Sequence, residues 1–366
     1  MIDPYSFSPE WLDETSSNHN NADKNLIEKT IRAMALLEQL RIQGLDLIFK
    51  GGTSLFLYLD PPKRFSIDID IVLHQKTPPL VLKDIFDKIV SITLPNGEKL
   101  FHRWEEKVRE QKDSNIDKAH YKFFYQPQAP RRPDEEPILL DIVFEENSDP
   151  PQLIEKEILT PFLLTKKPQI FVIVPSLDSL LGDKITAFAP NTVGKPYGNK
   201  LELEIIKQLF DVGILFDYMQ DLSVVRGSFL KAVGNQMSYR PDLHLSLETV
   251  YDDIFKSCLL LSSKGHLGEG IYDELKKGVE RLKNHIWYEK FHLEKAITHA
   301  SKVAYLSELL QSKEETLEIY SNPQEIISLK IESPEFNRLN KMLKKGNPEA
   351  FFYWYQTIQL REARLN

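Results

Sequence analysis

Cysteine is almost missing from this chain: Cys258 is the single one in 366 residues. That excludes an intramolecular disulfide framework and a cysteine-ligated zinc site. Long apolar runs are missing too, and none approaches the roughly 18 residues that a membrane helix needs. The opening stretch, MIDPYSFSPEWLDETS, lacks the basic-then-apolar order of a secretion signal, so a cytoplasmic protein with no membrane partner is expected. An excess of positive charge is also absent. Lysine and arginine number 46 against 54 aspartates and glutamates, a net charge of −8. This excludes a protein that coats nucleic acid indiscriminately, while leaving room for a local basic cleft. What is present is an ordinary globular composition, 42% hydrophobic and 27% charged, over a length that suits about two domains.

The pattern changes character near Pro175. Residues 1–22 are polar and Asn/Ser-rich and read as a loose N-terminal arm. From Asp23 the apolar residues Ile27, Ile31, Met34 and Leu37 recur at helical spacing, with Gly44 as a stop. Strands are predicted at 45–50, 66–73, 137–144 and 169–174, with a helix near 80–92 and strand-like aromatics in HYKFFYQ. Beyond 175 helical periodicity takes over, with helices predicted at 177–189, 203–220, 223–236, 246–262, 270–286, 290–311 and 348–362. Asn347-Pro348 supplies an N-cap and first helical residue for the last. The expected architecture is α+β: a lobe with a small mixed sheet over 1–174, then an all-helical lobe over 175–366.

The chemistry concentrates between Lys50 and Val72. In SIDIDIVL alternate side chains share a face, so Ile67, Ile69 and Ile71 point one way and Asp68 and Asp70 the other. Asp141 interrupts the apolar strand ILLDIVF, where a carboxylate without compensation is costly. A solvent-facing amphipathic strand accounts for the first two, and a lysine partner for the third. A hard divalent cation accounts for all three together, since Mg²⁺ takes carboxylates along with phosphate oxygens and water, and two such ions would make a phosphoryl- or nucleotidyl-transfer site. Just upstream, Lys50-Gly51-Gly52-Thr53 joins a strand to a helix start. Glycines let backbone approach a phosphate and helix N-termini favour anions, although such a turn also serves as a plain chain reversal. It is not a P-loop, because the lysine precedes the glycines.

On the helical side, Lys184 lies four residues from both Leu180 and Phe188 and so projects from within an apolar stripe. It must either snorkel to the edge or meet an anion. Lys207 and Asp211 stand at i, i+4 and suit a surface ion pair. The loop 190–200, with Lys195 and Lys200, is either a substrate loop or a long connection. His285, His292 and His299 recur every seven residues, about 10 Å apart on a helix and too far to share one metal. The run Phe351–Tyr355 is expected in a core or interface rather than stacked on bases. Arg103, Lys107, Arg109, Lys118, Lys122, Arg131 and Arg132 make 100–132 locally basic, a candidate RNA-facing segment together with the 190–200 loop.

Taken together, these residues resemble the AbiEii/AbiGii-type nucleotidyltransferase toxins of the polymerase-beta-like nucleotidyltransferase superfamily. The resemblance rests on K-G-G-T-x-L, here Lys50, Gly51, Gly52, Thr53 and Leu55. It continues in R-F-S-x-D-x-D, here Arg64, Phe65, Ser66, Asp68 and Asp70, then the Asp141 strand and Asp183-Lys184. It implies that Gly52 and Thr53 hold the β- and γ-phosphates of a nucleoside triphosphate, within a binding set that includes Lys50, Gly51, Arg64, Ser66, Lys184, Lys207 and Asp211. It further implies that Asp68, Asp70 and Asp141 bind Mg²⁺, two ions with Mn²⁺ as a substitute, and that Asp141 activates an acceptor hydroxyl while Lys184 offsets triphosphate charge. The acceptor it favours is RNA, above all a tRNA 3′ end, in a toxin paired with an antitoxin. The nucleotide is then expected in a cleft between the lobes. Two departures stand out: Lys207 replaces an arginine and so loses its planar fork, and Gln208 replaces an acid. Transfer to a small molecule or a protein side chain, or a non-catalytic nucleotide-binding module, are the competing functions.

Overall fold

The strands form one mixed sheet. The computed structural model describes residues 1–74, 77–107, 118–128, 134–145, 152–240, 243–314 and 316–365. Among them the strands are β1 (Ile48–Lys50), β2 (Ile69–Leu73), β3 (Arg103–Glu106), β4 (Lys118–Tyr125), β5 (Glu136–Phe144), β6 (Leu153–Glu157) and β7 (Phe171–Pro175). They are ordered β3-β4-β5-β2-β1-β7-β6. The β2–β5 and β1–β7 pairs are parallel and the other pairs antiparallel. The fold is α+β, as the sequence pattern indicated.

Two units divide the chain. The first comprises Met1–Ser176 with Ile286–Glu289, the second Leu177–His285 with Lys290–Asn366. In the first, the alternation of β2 and β5 sends Ile69, Ile71, Leu140 and Ile142 into a core shared with Ile27, Ile31, Met34 and Leu37 of helix α2 (Lys24–Ile42). At about 25 cal/mol per Å² of apolar surface, this burial is the main force holding the strand register. The expected loose arm is instead folded: a 3-10 turn, Pro4–Phe7, leads into helix α1 (Pro9–Asn18). Ser8 caps it by accepting from Trp11 N, the Ile2 amide donates to Glu38 Oε1 at 2.6 Å, and Trp11 Nε1 donates to the Phe162 carbonyl at 2.9 Å. Ile2, Phe7, Leu12 and Ala22 of that polar stretch enter the core, and Trp11 packs against it. Helix α3 (Pro79–Ser91) falls where it was expected.

The second unit holds helices and no strand among its described residues. Its helices are α4 (Leu177–Ala187), α5 (Glu202–Phe216), α6 (Leu222–Ser238), α7 (Leu247–Ser262), α8 (Tyr272–Leu282), α9 (Leu293–Gln311), α10 (Arg338–Leu343) and α11 (Pro348–Leu365). Local chemistry sets several starts. Ser246 and Thr249 form a reciprocal capping box at α7. At α11 Asn347 Oδ1 accepts from the Ala350 amide, while Asn347 Nδ2 donates to the Glu294 carbonyl. Phe351, Phe352, Tyr353 and Trp354 are all buried, with the Trp354 ring 5.7 Å from that of Phe255. The aromatic run is therefore core. His299 is buried within α9 beside Phe210 and Phe291, which lowers its pKa to about 3 because burial disfavours the charged ring.

Candidate active site

The sheet register gathers the chemistry of the first unit into one line. Lys50 of β1 lies opposite Asp70 of β2, Asp70 lies opposite Asp141 of β5, and Asp141 lies opposite His120 of β4. Residues directly across a sheet share a face, so a lysine, two carboxylates and an imidazole form a row across four adjacent strands. Their chain neighbours Phe49, Ile69, Ile71, Leu140, Ile142 and Tyr121 turn the other way and are buried. Hydrophobic alternation thus fixes the polar row in place: a one-residue slip would bury the carboxylates.

Two carboxylates directly opposite repel one another, an arrangement that costs stability in a sheet. The row brackets them with Lys50 on one side and His120 on the other. His120 Nδ1 lies 2.7 Å from Asp141 Oδ1, with the ring largely buried and the Asp141 side chain 41% exposed. Asp141 therefore presents carboxylate surface to solvent while one oxygen is held by a hydrogen bond. Asp68 sits just before the first residue of β2 and is half-buried. Among the described residues no group of three or more His, Cys, Asp or Glu that could hold a metal ion is found. What the register brings together is the pair Asp70–Asp141. That donor set suits Mg²⁺ or Mn²⁺, since a hard cation is commonly held by one or two carboxylates with substrate phosphates and water completing its shell.

The glycine turn abuts this row. Gly51 has φ +78°, and a Cβ added there would land on the Asp70 carboxylate. At Gly52 a Cβ would lie 2.5 Å from Arg64 Nη2 and 2.9 Å from Ser66 Oγ. Gly51 thus lets backbone lie against a carboxylate where another residue would not fit, while a side chain at Gly52 would require Arg64 and Ser66 to give way. A 3-10 turn, Thr53–Leu57, follows. Thr53 is buried and donates to the Asp68 carbonyl at 2.6 Å, with its oxygen also 2.9 Å from Ser66 Oγ. Its hydroxyl ties the turn to the segment entering β2. Arg64 is buried and donates through Nη1 to the Phe65 carbonyl. Lys50, Gly51, Gly52, Thr53, Arg64, Ser66, Asp68 and Asp70 all belong to this one neighbourhood of the first unit.

Lys184, Lys207 and Asp211 belong to the second unit. The anion opposite Lys184 is Asp211, with Nζ 2.8 Å from Oδ2 and both side chains buried. The expected Lys207–Asp211 surface pair does not form. Lys207 reaches Glu204 instead, at 2.8 Å, because Asp211 turns inward between α5 and α4. The 190–200 loop is fastened to its own unit: Asp253 accepts from Asn191 N, Asn191 Nδ2 and Thr192 Oγ1, and Glu274 accepts from Gly198 N.

Much of the expected basic segment is neutralised or not described. Arg103 pairs with Glu105 and Glu135 and stacks over Phe124; Arg103 and His102 hold the Glu135 carboxyl down to about 2. Lys107 and Lys118 are exposed and Lys122 is half-buried. Arg109, Arg131 and Arg132 lie outside the described residues. His120 escaped the sequence reading. The signal was there in the alternation of HYKFFYQ, which sets His120 opposite in face to Tyr121 and Phe123, but only the pairing register could place it beside Asp141.

A family model described as nucleotidyl transferase AbiEii toxin of a type IV toxin–antitoxin system matches residues 35–295. No curated protein matches the chain by sequence. Among solved structures, similarity is found to MenT4, a nucleotidyltransferase toxin of Mycobacterium tuberculosis, at 14% identity and TM-score 0.45, covering 82% of this chain and 99% of that one. JHP933 of Helicobacter pylori is similar at 15% identity and TM-score 0.39, covering 83% and 93%. An antigenic nucleotidyltransferase-like protein of Paracoccidioides brasiliensis follows at 14% identity and TM-score 0.34, covering 61% and 92%.

Proposed function

The chain belongs to the AbiEii family of nucleotidyltransferase toxins, and on that premise we propose that it transfers a nucleoside monophosphate from a nucleoside triphosphate to an RNA hydroxyl, in particular a tRNA 3′ end. The observation that carries the reading is the in-register pair Asp70–Asp141 beside the Gly51-Gly52 turn. Asp70 and Asp141 would hold a divalent cation, Mg²⁺ or Mn²⁺, with Asp68 two residues before Asp70 on the chain; when bound, the cation would offset negative charge on the reacting phosphate. Backbone at Gly51-Gly52, with Lys50 and Arg64 close by, would receive the phosphates. Asp141, partly exposed and held by His120, is the base best placed to take the proton of the attacking hydroxyl, and displacement at the α-phosphate would release pyrophosphate. An antitoxin is the partner the family suggests.

The test supplies purified protein with Mg²⁺, each α-labelled nucleoside triphosphate in turn, and total RNA. Label on RNA with the native chain, lost by at least about 100-fold in Asp70→Asn and Asp141→Asn, is the expected result. Label on protein would move the acceptor to a side chain. Nucleotide bound without any label transferred would favour a non-catalytic binding module.

A further inference from the structure

His120 enters the reaction above only as the group that holds Asp141, and its geometry says more. His120 Nδ1 is 2.7 Å from Asp141 Oδ1, and a carboxylate can only accept, so the proton sits on Nδ1. The other ring nitrogen, Nε2, is buried with no hydrogen-bond partner among the described residues. An imidazole that merely filled space on this strand would satisfy both nitrogens or give way to an apolar residue; buried polar atoms without partners are rare and call for a reason. Nδ1, by contrast, has a partner that the register supplies. His120 and Asp141 are direct partners on adjacent antiparallel strands, so the ring approaches the carboxylate along the row and engages one oxygen only. Asp141 is joined on its other side by Asp70. A bond to one oxygen restrains the rotation of the carboxylate about its own axis and leaves the second oxygen to another partner.

We propose that His120 is a positioning residue: its Nδ1–H locks the Asp141 carboxylate so that the free oxygen points toward Asp70, where a cation is to be shared. This rests on the proposed function. Groups that hydrogen-bond a ligating carboxylate or imidazole are worth about 10- to 100-fold in metal affinity or activity. His120 is thus expected to act on cation affinity and turnover and to leave nucleotide recognition alone.

The test compares His120→Asn, His120→Gln and His120→Leu in the full chain. An asparagine amide can occupy the position of Nδ1 and still donate; a glutamine amide reaches the position of Nε2; leucine donates nothing. Mn²⁺ affinity is read from the electron paramagnetic resonance of the free ion, and kcat and KM from label transfer, with folding checked by circular dichroism. The leucine and glutamine variants are expected to bind Mn²⁺ about 10- to 100-fold more weakly and to lose kcat in proportion, with the nucleotide KM within about threefold of the native value. The asparagine variant is expected to recover most of both. Equal Mn²⁺ affinity and kcat in the folded leucine or glutamine variant and the native chain would overturn the proposal, as would an asparagine variant no better than the glutamine one. Should the native chain itself neither bind Mn²⁺ nor transfer label, the proposed function fails and this assignment with it. A native chain that works with indifferent His120 variants sinks the assignment alone.

Discussion

At the scale of single residues, the site depends on absences of side chain as much as on charges. Gly51 adopts a backbone conformation that other residues pay about 1–2 kcal/mol to reach, and its missing Cβ is the space in which the Asp70 carboxylate lies. Gly51→Ala is therefore expected to lower stability by about that amount and to displace Asp70. A shift of about 1 Å in a catalytic group can cost about 100-fold in rate, so label transfer should fall by that order. At Gly52 an added Cβ meets chiefly the end of the long Arg64 side chain, which can shift, so Gly52→Ala is expected to do less harm. Denaturant melts and label transfer on the two variants check the order. The glycine pair was readable from the sequence as a turn. That each glycine answers a particular polar neighbour was not, because Asp70 and Arg64 arrive through the fold of the 58–68 segment.

At the scale of elements, helices α4 and α5 are joined by a buried ion pair. Lys184 was visible in the sequence as a cation inside an apolar stripe. Its partner was not, since Asp211 is 27 residues away and its nearest sequence cation, Lys207, is bound to Glu204. A buried pair is costly to break and cheap to replace whole. Lys184→Met leaves the Asp211 carboxylate buried without its lysine, at an expected cost of about 3–5 kcal/mol, whereas Lys184→Met combined with Asp211→Leu should recover most of it. Equilibrium denaturation of both single variants and the double variant gives the coupling directly; additive losses would show that the pair is not what holds these helices. The strands carry a matching lesson. β2 begins at Ile69, so Asp68 stands outside the ladder that the alternating pattern had included.

At the scale of the whole molecule, the chain does not fold as a string of two segments. Residues Ile286–Glu289 return from the helical unit to the first one. Trp287 packs with its ring 5.4 Å from that of Phe162 and 4.2 Å from that of Phe65, the residue between Arg64 and Ser66 of the turn neighbourhood. Trp287 is half-buried, so Trp287→Ala is expected to cost about 2 kcal/mol, below the 3–5 of a fully buried tryptophan, and to weaken nucleotide binding through Phe65. Melting of the variant together with its nucleotide affinity tests this; a destabilised chain with native affinity would confine Trp287 to support of the core.

Period and composition alone determined a good deal. The α+β pattern, the helical character beyond residue 175, the buried aromatic run of α11 and the shared face of Asp68 and Asp70 follow from local repeats, because hydrophobic alternation is a property of neighbouring residues; the wider motif from Lys50 to Asp141 was legible through its resemblance to a family. Tertiary structure decided the rest. The folded arm, the partner of Lys184, the return of Trp287 and above all the row Lys50–Asp70–Asp141–His120 depend on which strands and helices lie side by side. Register sets which residues meet across strands, and it is fixed by burial summed over the whole sheet, a quantity that no local stretch of sequence carries.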